Sequence, residues 1–362
     1  MIKSNYDSTY FSDFIKGVFF ECNLKSLQYC ILRNYEDLPA KNSGKDIDMI
    51  ISRKSFTKFI QIMEALAVTR DFMICPVEDH DHGKRYFIYS PAKNFFLKLD
   101  IHFNEVWRGA CYLHSSQINN NRCLHNGIYV IKRTHEAALL LVYSLLTCGL
   151  VKSTYIDLIM KVLLSDNEGF RLCLSEKIGD QPAVLIMDCM KKDNLLQKGN
   201  LSKVVKKELW LHSFRKQPLR QLLYICEYFL YQMRRRLCPL GEWLHIEILD
   251  PIDFEFIQTT ISSFFSEKFP GFETKVILLR KNLNILTYFK AIYPWRIQHN
   301  LVITVVPSKY HKSRNSFLDC TVKAYFTYCT RAGTITWNNC RYNLSDFLKI
   351  YSHSLLSKMA NR

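Results

Sequence analysis

The chain is poor in the residues that interrupt folded structure. Its 12 glycines and 10 prolines among 362 residues leave no room for a linker-rich or collagen-like segment. It has no C-x-x-C pair. The 13 cysteines are scattered, which excludes a zinc ribbon and a thioredoxin-like motif. The N-terminal stretch "MIKSNYDSTYFSDF" lacks an apolar signal core. With that absence, the odd cysteine count predicts reduced thiols in a cytoplasmic protein. No apolar run reaches the ~20 residues that span a bilayer. The longest, "AALLLVYSLLTCGLV" (137–151), reads as a buried helix, so no transmembrane segment is expected. Acids are scarce too: 33 Asp and Glu against 49 Lys and Arg give a net charge of +16. Such a surface attracts phosphates of nucleotides, nucleic acids or lipid headgroups, or it simply keeps the protein soluble. What remains is ordinary globular material. Hydrophobic residues make up 48% and charged residues 23%, which argues against long disorder, and the length suits two or three domains.

The periodicity of apolar residues predicts an α/β fold. Phe11, Phe14, Ile15, Val18 and Phe19 recur at helical spacing over 8–22. "LQYCILR" (27–33) reads as a strand, followed by a polar turn containing Pro39 and Gly44, and then by a second strand, "DIDMIIS". A helix over 53–67 carries Phe56, Phe59, Ile60, Met63 and Leu66. "RYFIYS" and "FFLKLDIHF" read as a hairpin. From Thr134 the pattern becomes helical, with Thr134 as N-cap and Glu136 in the first turn, and it continues to about residue 236. Pro239-Leu240-Gly241 marks a boundary. Beyond it come a strand, "WLHIEIL", a helix near 253–267, and further strands and helices. The domains expected are 1–133, 134–238 and 239–362.

The stretch "GKDIDMII" carries the strongest chemical signal. Side chains alternate along a strand, so Asp46 and Asp48 share one face while Ile47 and Met49 point to the other. Two carboxylates side by side repel unless a cation lies between them. An all-oxygen pair at a strand edge suits Mg²⁺ or Mn²⁺. Asp100, in "LKLDIHF", is a third acid on a strand of apolar neighbours, and strand pairing could bring it to the other two. Three acids, divalent ions and a nucleoside triphosphate make a phosphoryl-transfer site. His102 shares the Asp100 face. Lys84 and Arg85, at the start of a strand near the acids, are candidate phosphate contacts, although a solvated hairpin end explains them equally.

The stretch "YCILRNYEDLPAKNSGKDIDMII", a helix, and then "LKLDIHFNEVWRG" resemble the DNA polymerase β-type nucleotidyltransferase superfamily. The closer resemblance is to nucleotidyltransferase-like proteins of bacterial surface-polysaccharide gene clusters, and it covers roughly residues 8–165. It implies Asp46, Asp48 and Asp100 as catalytic, metal-holding carboxylates, with Mg²⁺ or Mn²⁺ as cofactor and an NTP as substrate. The implied acceptor is a sugar or polyol type. The superfamily has a small Gly-Ser turn where this chain has Arg33-Asn34. Arg33 would then replace backbone amides as the phosphate contact, with Asn34 beside it. Trp107-Arg108-Gly109 matches a "WRG" found in the polysaccharide-linked group and hints at acceptor contact.

From Gly241 the chain is similar to the thymidylate-kinase-like P-loop domain fused to such proteins, but the phosphate-binding chemistry is lost. The loop would be "DPIDFEFI", without glycine or lysine, and Phe256 stands near the lysine position. Arg341-Tyr342 survive at a later motif, with Cys340 in place of its acid. This half reads as a degenerate kinase fold retained for packing, dimerisation or acceptor recognition. Other groups have plainer explanations. His80 and His82 in "EDHDHGK" fit a polar hairpin tip as well as a metal pair. The basic runs "KVVKKELW" and 234–236 fit solvated helix faces better than a nucleic-acid surface. The leading expectation is a metal-dependent nucleotidyltransferase. A non-catalytic scaffold and an RNA-binding protein or RNA-directed transferase are the alternatives.

Overall fold

A computed structural model describes residues 8–41, 46–80, 82–90, 92, 95–191, 199–237, 242–248, 254–269, 272, 274–278, 301–307, 325–329, 334–337 and 340–360. The fold is mixed α/β. The first part runs α1 (Ser8–Leu24), β1 (Tyr29–Ile31), β2 (Asp46–Ile51), α2 (Arg53–Arg70), β3 (Met73–His80), β4 (Gly83–Ser90), β5 (Phe95–His102), β6 (Asn104–Trp107), β7 (Ala110–His114), α3 (Ile118–Asn121), β8 (Arg122–His125) and β9 (Ile128–Ile131). Seven of these strands form one sheet in the order β3-β4-β5-β2-β1-β9-β8, and β6 pairs with β7 separately. β2 and β5 are parallel neighbours; β1 and β4 flank them antiparallel.

Alternation along β5 explains how the sheet is covered. Phe95, Leu97, Leu99 and Ile101 face the main core, with Ile47 and Met49 of β2. On that side α1 contributes Phe11, Phe14, Ile15, Val18 and Phe19, and α2 contributes Phe59, Ile62 and Met63. Helix α2 starts where Ser52 Oγ accepts the Ser55 N–H at 3.2 Å, a side-chain N-cap. It stops at Asp71, whose φ of 57° is left-handed.

Six longer helices follow: α4 (Arg133–Thr147), α5 (Ser153–Ser165), α6 (Asn167–Ile178), α7 (Asp180–Lys191), α8 (Gly199–Lys216) and α9 (Pro218–Leu237). The 137–151 run forms most of α4, buried from Ala137 to Val142. Thr134 is not the cap: the helix starts at Arg133, and Thr134 Oγ1 instead donates to Asp166 Oδ2 at 3.1 Å. Glu136 is 2% exposed and accepts from Tyr35 Oη at 2.8 Å and Arg133 Nη1 at 2.9 Å. A buried carboxylate so bonded ties α4 to the chain after β1.

The last part contains β10 (Glu242–Ile248), α10 (Phe254–Lys268), β11 (Thr274–Leu278), β12 (Leu301–Pro307), β13 (Tyr325–Cys329), β14 (Thr334–Trp337), β15 (Cys340–Asn343) and α11 (Leu344–Ala360). Its sheet order is β11-β12-β10-β13-β14-β15, parallel over the first four strands. Ile257, Ile261 and Phe265 of α10 and Phe347, Leu348 and Tyr351 of α11 join Cys75, Phe87, Tyr89 and Phe96 in a second core. The first sheet is therefore covered on its other face by this part. Among the described residues no helix is long and apolar enough to cross a membrane. Pro239-Leu240-Gly241, residues 249–253 and residues 308–324 lie outside the described residues.

Four strands differ from the pattern expected. β1 is only three residues long, Tyr29–Ile31, so Leu27, Gln28, Leu32 and Arg33 lie outside the strand expected over 27–33. β3 carries Pro76, and its register shifts between Pro76 and Glu78; a bulge breaks the period of two. β8 and β9 are four residues each, too short to show alternation.

The Trp107-Arg108-Gly109 turn is a packing joint. Gly109 has φ +89°, and a Cβ there would sit 3.0 Å from Ile225 Cα of α9. Gln221 Nε2 of α9 donates to the Gly109 carbonyl at 2.6 Å. Gly109→Ala is expected to cost about 2 kcal/mol through strain and overpacking, read as a lower urea midpoint with an unchanged slope.

Candidate active site

The acids come together through strand register. β2 and β5 pair in parallel with Asp46 opposite Lys98, Asp48 opposite Asp100 and Ile50 opposite His102. One oxygen from each of Asp46, Asp48 and Asp100 lies within 4.8 Å of the others. Asp48 and Asp100 are buried, and Asp46 keeps 21% of its side chain exposed.

Each acid has a basic partner. The Leu32 N–H donates to the Asp48 carbonyl at 2.9 Å, so the chain leaves β1 with Arg33 directly beside Asp48. The Arg33 guanidinium forks onto both carboxylate oxygens, Nε to Oδ2 at 2.5 Å and Nη2 to Oδ1 at 2.8 Å. Arg85 is the cross-strand partner of Asp100, with Nε donating to Oδ1 at 2.6 Å. Lys98 Nζ lies between acids, 3.4 Å from Asp46 and 3.3 Å from Asp100. His102 completes the row, its Nδ1 3.3 Å from Glu105 and its Nε2 3.9 Å from Asp48. Glu105 also accepts from Tyr112 Oη at 2.9 Å.

Burial sets the electrostatics, and the neighbours decide its outcome. It opposes ionisation of Asp48, but His102 and Arg33 overcome it and hold that carboxyl well below its usual range. For Asp100 burial is likewise overcome, first by Arg85 and then by Lys98. Asp46 is pushed upward, by burial first and by the Asp48 charge second. Burial also opposes charging His102, yet Glu105 and Asp48 lift it to about 9.

The sequence-derived residues divide clearly. Asp46, Asp48, Asp100, Arg33, Arg85 and His102 share one cluster. Lys84 does not join it. It pairs with Ile101, which puts it on the α2 face, and its Nζ lies over the Phe56 ring at 5.9 Å. Asn34 is exposed in a left-handed conformation (φ 57°), past the end of β1. Trp107 is partly buried, with Arg108 and Lys206 stacked on its ring. His82 is 2% exposed, against the Tyr224 ring and 3.2 Å from Glu227 of α9. The His80 side chain lies outside the described residues. Sequence reasoning missed Lys98 and Glu105. Lys98 precedes Asp100 by two residues, so the alternation that paired the aspartates could have found it. Glu105 follows the end of β5, where no period points to it.

No family model, curated protein or solved structure matches this chain.

Two predictions follow from these charges. Arg33→Ala leaves the buried Asp48 carboxylate with His102 alone and is expected to destabilise the fold by about 3 kcal/mol. Adding Asp48→Asn should recover much of that loss, as a double-mutant cycle by urea denaturation would show. Burial, and secondarily Arg53, push the His82 imidazole down to about 4. The unfolded chain takes up that proton near pH 6.5, so stability is expected to fall as pH drops from there to about 4. The loss reaches up to about 3 kcal/mol. Melting curves over this window should flatten in His82→Gln.

Proposed function

We propose that the chain is a nucleotidyltransferase of the DNA polymerase β type. It would move a nucleoside monophosphate from an NTP to a hydroxyl or phosphate acceptor of sugar or polyol type and release pyrophosphate. The observation that carries this reading is the D-x-D pair on β2 with Asp100 in register on the adjacent parallel strand. The resemblance of residues 8–165 to proteins of surface-polysaccharide gene clusters supports a role in polysaccharide biosynthesis. The nine cysteines whose side chains are described are free thiols, which supports a cytoplasmic location.

The donor set fits a divalent cation: three carboxylates, all oxygen, close enough to share one ion. Asp46, Asp48 and Asp100 would hold Mg²⁺ or Mn²⁺, which when bound neutralises triphosphate charge and polarises the reacting phosphate. Arg33 would exchange its grip on Asp48 for phosphate oxygens, a bidentate role suited to guanidinium. Arg85 and Lys98 flank Asp100 and would meet the remaining phosphate charge. Asp100 is held ionised, so its carboxylate can accept the acceptor hydroxyl's proton. The new oxygen–phosphorus bond forms as the bond to pyrophosphate breaks. The kinase-like last part, with Phe256 58% exposed in the first turn of α10, would serve packing or acceptor recognition.

A second reading is a non-catalytic scaffold. The observation favouring it is the Arg33 fork, which engages both oxygens of Asp48. Calorimetry with Mg²⁺ and each NTP separates the two. The transferase is expected to bind one NTP only with Mg²⁺, and Asp48→Asn should weaken that binding at least tenfold. A chain that binds neither ion nor nucleotide is the scaffold.

A further inference from the structure

Helix α9 carries an apolar stripe that the fold does not use. Leu219, Leu222, Leu223, Phe229, Leu230 and Met233 are 49–78% exposed. Their spacing of three, four and seven residues puts them on one side of a helix. The opposite side is inward. Gln221 and Tyr224 are buried, Gln221 holds the Gly109 carbonyl, and Tyr224 packs on His82. The stripe is thus a surface in its own right and larger than the scattered apolar residues of an ordinary monomer.

Charge selects the occupant. α9 has four arginines, Arg220 and Arg234 to Arg236, and a single acid, Glu227. That acid is already committed, 3.6 Å from Arg53 and beside His82. Helix α8 ends in Arg215 and Lys216 at the start of α9. A second copy docked through the stripe would bring basic ends together in either orientation, with no acid on the stripe to offset them. An anionic bilayer satisfies both features at once. A 20-residue helix with Leu and Phe on one side and four arginines in its sequence lies in the headgroup plane rather than across the membrane.

We propose that α9 is a membrane-surface helix that docks the protein on anionic lipid through this stripe and its flanking arginines. The inference does not depend on the nucleotidyltransferase reading. Flotation of the full chain with vesicles tests it. The protein is expected to float with phosphatidylcholine vesicles containing phosphatidylglycerol, to stay behind with phosphatidylcholine alone, and to dissociate at high salt. Replacing Arg234, Arg235 and Arg236 by Ser should weaken binding by roughly a hundredfold, at about fivefold per charge. Leu223→Glu with Phe229→Glu should abolish binding while leaving the melting temperature unchanged, since both positions are exposed. Failure to float with anionic vesicles, equal binding to neutral ones, or undiminished binding of the Leu223/Phe229 variant overturns the proposal. So does a dimer in sedimentation equilibrium that the same variant dissolves, which would assign the stripe to a second copy.

Discussion

Asp48 and Asp100 stand directly opposite each other on adjacent parallel strands, on a face shut away from water. Like charges in that arrangement repel, and burial raises the cost of each. The local structure is organised around relieving this conflict. Arg33 is positioned by the early end of β1, Arg85 by its antiparallel register with Asp100, and Lys98 by its place two residues before Asp100. His102 and Glu105 extend the row. Four acids meet four basic groups, and none of the eight lies on a helix. On the proposed transferase reading, these protein cations balance the acids and pass to phosphate when substrate arrives.

The same sheet face does two jobs along its length. Where β4 and β5 carry Phe87, Tyr89 and Phe96, the face is apolar and packs against α10 and α11. One alternation step further along β5 it turns ionic. Phe96 touches Phe269 at 5.3 Å between ring centres, while Lys98 holds two aspartates. The charged cluster therefore begins where the apolar seam ends. On the other side of the cluster, Tyr112 and Glu105 lead from His102 towards β7 and the helices packed on it. The cluster is bordered by both later parts of the chain, and each can influence what reaches it.

Much of this was legible because strands obey a strict period. Ile47 and Met49 against Asp46 and Asp48 is alternation at its simplest, and Asp100 in "LKLDIHF" follows the same rule. Lys84 neighbours Arg85 in sequence, yet adjacent strand residues face opposite ways, so only Arg85 reaches the acids. Lys98 obeys the same rule as Asp100, two residues on. The role of Arg33 was visible only as a departure from a family pattern. Its grip on Asp48 depends on antiparallel pairing of β1 with β2, which no local signal specifies. The bulge hides β3, and Thr134 is not the cap because the helix starts two residues earlier than a Thr134 cap requires, at Arg133.

The central claim is that the carboxylate trio exchanges protein cations for a divalent ion and phosphate. Anomalous diffraction from crystals soaked with Mn²⁺ and a non-hydrolysable NTP tests it most directly. The exchange predicts a manganese peak among Asp46, Asp48 and Asp100, with Arg33 turned from Asp48 onto the phosphates. Crystals with no peak at the trio and the Arg33 fork still closed on Asp48 would contradict it.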